Sequence, residues 1–70
     1  MDIMEIINIT EELEKTIKAN STMKDFHIGS SDIMPSFYSN GMTIMFDRFN
    51  LIDGKIYFYI DDIKTGYIWL

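Results

Sequence analysis

The chain contains no cysteine, which removes disulfides and thiolate metal sites together. It has a single histidine, His27. With no cysteine or second histidine beside it, His27 reads as a surface or rim residue rather than a metal ligand or general base. No apolar run approaches the length of a membrane span. Met1 and Asp2 open the chain without the basic segment of a signal peptide. Basic residues are also scarce, six against eleven acidic ones, for a formal charge of −5. They are scattered from Lys15 to Lys64 without a patch, so direct nucleic-acid binding is not expected. No internal repeat, Gly-rich phosphate loop, nucleophile elbow or metal motif is found. These absences point to a cytoplasmic protein with no cofactor, no metal and no membrane contact.

Large apolar side chains, by contrast, are plentiful: 47% of the 70 residues are hydrophobic. Seventy residues allow one domain, 1–70, and a chain so short buries only a modest share of its surface. Part of this apolar surface is therefore expected to lie against a protein partner or a second copy of the chain.

Residues 1–20 form a helical segment and 25–70 a β-rich part. Ile3, Ile6, Thr10, Leu13 and Ile17 recur at spacings of three and four, one stripe of a helix over 2–20. Thr10 followed by Glu11 and Glu12 also has the form of an N-cap. A short strand over Ile3–Ile9 and a helix over Glu11–Ala19 is therefore the competing reading. The stripe suits packing on the chain's own sheet, and its spacing would equally suit a partner helix.

Asp25–Ile28 is expected to be a first strand, with Phe26 and Ile28 on one face and His27 on the other. Gly29–Gly41 is rich in turn formers (Ser30, Ser31, Asp32, Pro35, Ser36, Ser39, Asn40) and is expected to be a loop anchored by Met34, Phe37 and Tyr38. Met42–Phe46 reads as a strand ending in an Asp47–Arg48 charge pair, and Phe49–Asp53 as a bridge to the Asp53–Gly54 turn. Lys55–Asp61 is the clearest strand, with Ile56, Phe58 and Ile60 on one face and Tyr57 and Tyr59 on the other. Asp62–Gly66 is expected to be a further turn, and Tyr67–Leu70 a last strand. The paired carboxylates Asp61 and Asp62 read as turn solvation rather than an acid–base pair.

From Gly29 to Ile60 the order of features resembles the LexA and phage-repressor family of serine peptidases. The counterparts are Gly29 to Pro35 with its Ser31, the Asn40–Gly41 turn, Phe46–Asp47–Arg48, and Asp53–Gly54–Lys55–Ile56–Tyr57. The resemblance implies an α+β fold: an N-terminal helix followed by a small, mostly antiparallel β-sheet like the first half of that peptidase fold. It also implies where chemistry would sit. The family's nucleophile position falls on Ser31 counting from Gly29, or on Asp32 counting from Pro35. Its base lysine must be desolvated to accept the serine proton, and its position falls on Ile68 or Trp69. The family's later strands, its cleavage dipeptide and an upstream helix-turn-helix have no counterpart here.

No catalytic residue is therefore assigned. The expected function is a non-catalytic protein–protein interaction module, a phage or mobile-element regulator such as a repressor-like oligomerisation unit, antirepressor or inhibitor. The interaction candidates are Tyr57, Tyr59, Tyr67 and Trp69 on the strands, and Ile3, Ile6, Leu13 and Ile17 on the helix. Two other readings stand beside it. One is a self-cleaving peptidase using Ser31 with Lys55 or Lys64 as base, and the other is a fragment of a larger repressor.

Overall fold

In the computed structural model, which describes all residues from Met1 to Leu70, Ile3–Asn20 form one uninterrupted helix, α1. Asp2 is its N-cap. The carboxylate Oδ1 accepts from the Glu5 backbone N–H at 2.9 Å, satisfying one of the donors a helix start leaves open. Thr10 is not a cap, because its hydroxyl donates back to the Ile7 carbonyl at 2.8 Å inside the helix. The continuous helix prevails over the strand-then-helix alternative because Ile6, Leu13 and Ile17 all bury along one side, an apolar stripe that only one helix can present.

The cap makes a pH prediction. The hydrogen bond from the Glu5 backbone N–H holds the Asp2 carboxyl below its ordinary 3.8. A depressed folded-state value contributes stability above the ordinary value and loses it as pH falls through the lowered one. Asp2→Ala should therefore lower the melting temperature at neutral pH, and the gap from the parent should close in acid below that window. A gap that persists unchanged in strong acid would show that the charged cap is not its cause.

Six strands follow, β1 (His27–Ser30), β2 (Pro35–Ser39), β3 (Met42–Met45), β4 (Arg48–Ile52), β5 (Lys55–Ile60) and β6 (Ile63–Trp69). The fold is α+β, a helix and then antiparallel strands. The strands divide into two three-stranded sheets, ordered β1-β2-β3 and β4-β5-β6. Every pairing joins neighbours along the chain. Phe46 and Asp47 turn the corner between the sheets. The Phe46 N–H still bonds to Pro35 O in the first sheet, and the Asp47 N–H to Tyr59 O in the second.

Three of the four hairpins within the sheets close on two-residue turns. Asn40-Gly41, Asp53-Gly54 and Asp61-Asp62 all have positive φ at both positions, the backbone that matches strand twist in a tight hairpin. The third turn does this without glycine.

Four sequence expectations are corrected. Pro35–Ser39 is the central strand of the first sheet rather than a loop, since Pro35, Ser36 and Phe37 are buried there. Phe49 lies in β4, not in a bridge. The last strand begins at Ile63, because only Asp61 and Asp62 form the turn. Asp47 and Arg48 do not pair with each other, since neighbours on an extended chain point opposite ways. The Asp47 carboxylate accepts from the Asp61 N–H at 3.0 Å, and Arg48 pairs with Asp62 at 3.1 Å.

The core lies between the sheets and under α1, and includes Leu13, Ile17, Phe37, Ile44, Phe46, Ile56, Phe58 and Ile68. All five phenylalanines form one chain of ring contacts, with neighbouring centroids 5.0–6.4 Å apart: Phe26, Phe37, Phe58, Phe46, Phe49. Phe58 is its middle link and joins the ring of the first sheet, Phe37, to those at the corner and in β4. Ile44 of β3 reaches across to β6 at Gly66. A Cβ built at Gly66 would meet three Ile44 side-chain atoms at 3.0, 3.2 and 3.3 Å, so the lack of a side chain there is what lets the two sheets approach.

Candidate interaction face

Alternation along β5 sends Ile56 and Phe58 into the core and turns Lys55, Tyr57 and Tyr59 outward. On β4 the inward residue Phe49 leaves Arg48, Asn50 and Ile52 facing out, and on β6 the buried Ile68 leaves Tyr67 and Trp69 outward. The ladder sets these side chains in rows: Ile52, Lys55 and Trp69; Asn50, Tyr57 and Tyr67; and Arg48, Tyr59 and Lys64.

The third row depends on an irregularity. Phe58 pairs with Gly66, but Tyr59 pairs with Lys64, so Thr65 is an extra residue in β6. Such a bulge inverts the facing of what precedes it. Without it, Lys64 would share the inward parity of Gly66; with it, Lys64 joins the outer face and its Nζ lies 4.7 Å from the Tyr57 ring centroid. The Thr65 hydroxyl donates to the Met45 carbonyl at 2.8 Å and pins the bulge to β3.

Each of the four rings carries a cation. Lys55 Nζ is 4.0 Å from the Trp69 centroid and 5.5 Å from that of Tyr67, and the Arg48 guanidinium is 4.1 Å from Tyr59. Each such contact is worth about 0.5–1 kcal/mol at an exposed site. Tyr57 and Tyr67 lean on each other at 6.0 Å, and Tyr67 meets Trp69 edge-on at 6.4 Å. Trp69 is 63% exposed and Tyr67 48%. The Arg48–Asp62 ion pair at the end of the face is solvent-exposed and holds little energy. This is an amphipathic surface of aromatic rings and cations, with no nucleophile–base pair on it.

The strand candidates Tyr57, Tyr59, Tyr67 and Trp69 are thus brought together on one surface. The helix candidates are not. Ile6, Leu13 and Ile17 are buried in the chain's own core and cannot meet a partner, because the stripe is spent on the sheets. Only Ile3, beyond the end of that packing, is exposed, together with Met4 and Ile7. Of the positions the peptidase resemblance singles out, Ser31 is occupied in a local turn. Its hydroxyl donates to Met34 O at 3.2 Å and accepts from the Ile33 and Met34 N–H groups. Asp32 is exposed beside it, Ile68 is core and Trp69 belongs to the outer face. Lys55 and Lys64 lie over the rings of the second sheet, whereas Ser31 follows β1 in the first.

Sequence reasoning missed Arg48, Lys55 and Lys64 as members of the face. For Lys55 a signal existed, since it shares the parity of Tyr57 and Tyr59. For Lys64 none did, because the bulge changes its side. A concavity of about 570 Å³ lies elsewhere, beside the end of α1 and β1. Its charged lining is Glu14, Lys18 and Lys24, of which Glu14 and Lys18 pair with each other at 2.9 Å. His27 borders it and stacks on Tyr38 at 5.8 Å. No helix is long and apolar enough to cross a membrane, and no group of side chains is arranged to hold a metal ion. Compared with protein families, with curated proteins and with solved structures, the chain matches none.

Proposed function

We propose that the chain is a non-catalytic docking module that binds a protein through the outer face of β4, β5 and β6. The observation that carries this reading is the gathering of Tyr57, Tyr59, Tyr67 and Trp69 on one surface, with Trp69 and Tyr67 largely open to solvent. Aromatic and arginine side chains dominate the energetics of protein interfaces, since they offer large contact area at small entropic cost. A small chain that leaves such residues outside its core keeps them available for contact. The local engagement of the Ser31 hydroxyl supports docking over acyl transfer. The likeness of Gly29–Ile60 to repressor peptidases supports a cytoplasmic phage or mobile-element regulator as the setting. The same face would serve a free-standing antirepressor or inhibitor and the oligomerisation part of a larger repressor.

Site-directed photo-crosslinking tests the proposal. A photoreactive amino acid at Tyr67 or Trp69, in extract of the source organism, should give a discrete protein adduct, while the same probe at Glu12 on the exposed side of α1 gives none. Equal adducts from all three positions, or none from Tyr67 and Trp69, would overturn it.

A further inference from the structure

We infer that the outer face of β4, β5 and β6 takes an acidic stretch of its partner protein, whose carboxylates seat against the outward sides of Lys55 and Lys64. This rests on the docking reading above and adds the chemistry of the partner. Three observations carry it. The first is charge segregation. Half of the chain's six basic residues stand on this one face, leaving only Lys15, Lys18 and Lys24 elsewhere in a chain with eleven acidic ones. Arg48 is already paired with Asp62 at 3.1 Å, whereas Lys55 and Lys64 have no carboxylate in ion-pair range, so the face offers two uncompensated cations on a negative molecule, and complementary charge sets both approach and partner choice.

The second observation is where the cations sit. Lys55 is 4.0 Å from the Trp69 centroid, Arg48 4.1 Å from Tyr59 and Lys64 4.7 Å from Tyr57. A platform for single-stranded nucleic acid needs ring faces on which bases can stack. Here a base would have to compete with a cation already placed over each ring. A carboxylate needs only to approach the Lys55 or Lys64 ammonium from outside, with the ring contact left intact and the cation already oriented.

The third observation is the rim. Asp53 lies in the turn at one end of β5, and Asp61 and Asp62 in the turn at the other. A long polyanion running along β5 would meet carboxylates at both ends. A short acidic segment bounded by neutral or basic residues would not. The face therefore favours a local run of Glu or Asp in a protein over a continuous phosphate backbone.

The test uses the full chain and three labelled probes read by fluorescence anisotropy: a short Glu-rich peptide, its Gln-for-Glu counterpart, and an oligothymidylate of similar length. The Glu peptide should bind, and raising the salt from about 50 mM to about 300 mM should weaken it about tenfold. Lys55→Gln together with Lys64→Gln should also cost about tenfold in a chain that still melts cooperatively, its melting temperature lowered by about 4–16 °C as the two cation–π contacts are lost. The Gln peptide should bind no better than background. Equal binding of the two peptides, or no binding of either, would overturn the acidic-segment assignment. Tighter binding of the oligothymidylate would replace it with nucleic acid. Self-association of labelled chain stronger than peptide binding would replace it with a second copy. In each of those outcomes the crosslink from Tyr67 still decides separately whether the face docks a protein.

Discussion

Phe58→Ala is expected to leave the chain largely unfolded at room temperature. Phe58 is completely buried, and truncating such a ring costs about 3–5 kcal/mol in lost transfer energy and unfilled space. A core in a chain of this length rarely supplies more than about 3–5 kcal/mol in total. The side chain's position makes the loss hard to absorb. Its ring touches Phe37 at 5.5 Å and Phe46 at 5.0 Å, so it is the link through which the two sheets share one core. Removing Phe26 or Phe49 trims an end of the ring series; removing Phe58 divides it. Far-ultraviolet circular dichroism and amide proton dispersion read the outcome, and Phe58→Leu, which keeps most of the volume, should stay folded. A cooperative melt for Phe58→Ala within a few degrees of the parent would show that the sheets are held by something other than this ring.

Gly66→Val should destabilise by about 1–3 kcal/mol, the usual cost of forcing extra volume into a filled space. The direction is informative because local preference predicts the opposite. Valine is favoured in strands and glycine is not, so at an open position the change would stabilise. At Gly66 the new Cβ meets Ile44 at 3.0 Å, and the branched side chain would push β3 away from β6. Urea titration should show a lower midpoint with an unchanged slope. Ile44→Val in the Gly66→Val background should recover part of the loss, a coupling a double-mutant cycle measures. A raised midpoint would mean that the crossing of the sheets is not as close as it stands here.

These two positions show where the sequence is readable and where it is not. The helix stripe and the alternation of β5 follow from local periodicity, and both are present in the fold. So are the Asn40-Gly41 and Asp53-Gly54 turns, whose composition matches their backbone. β2 was not legible because proline and serine favour turns, and its strand state depends on burying Phe37 between β1 and β3, a tertiary effect. The start of β6 was hidden for the converse reason, since Asp61 and Asp62 take up a glycine-like backbone without glycine. The interaction face was half legible: parity placed its tyrosines. Its charge came from three residues far apart in sequence that only the strand register, and in one instance a single extra residue, brings together. The role of Ile6, Leu13 and Ile17 was open in the sequence, because a stripe that packs on its own sheet and one that packs on a foreign helix have the same spacing.

The consecutive order of the strands also bears on how quickly the native state is reached. Each ladder closes between segments adjacent along the polypeptide, so no hairpin waits for a distant stretch of chain to arrive. Local closures of this sort proceed in about 1–10 microseconds, and topologies rich in them cross lower entropic barriers. The slow event should then be the meeting of the two halves at Phe46 and Asp47. That places the transition state at the joint between the sheets rather than within either one.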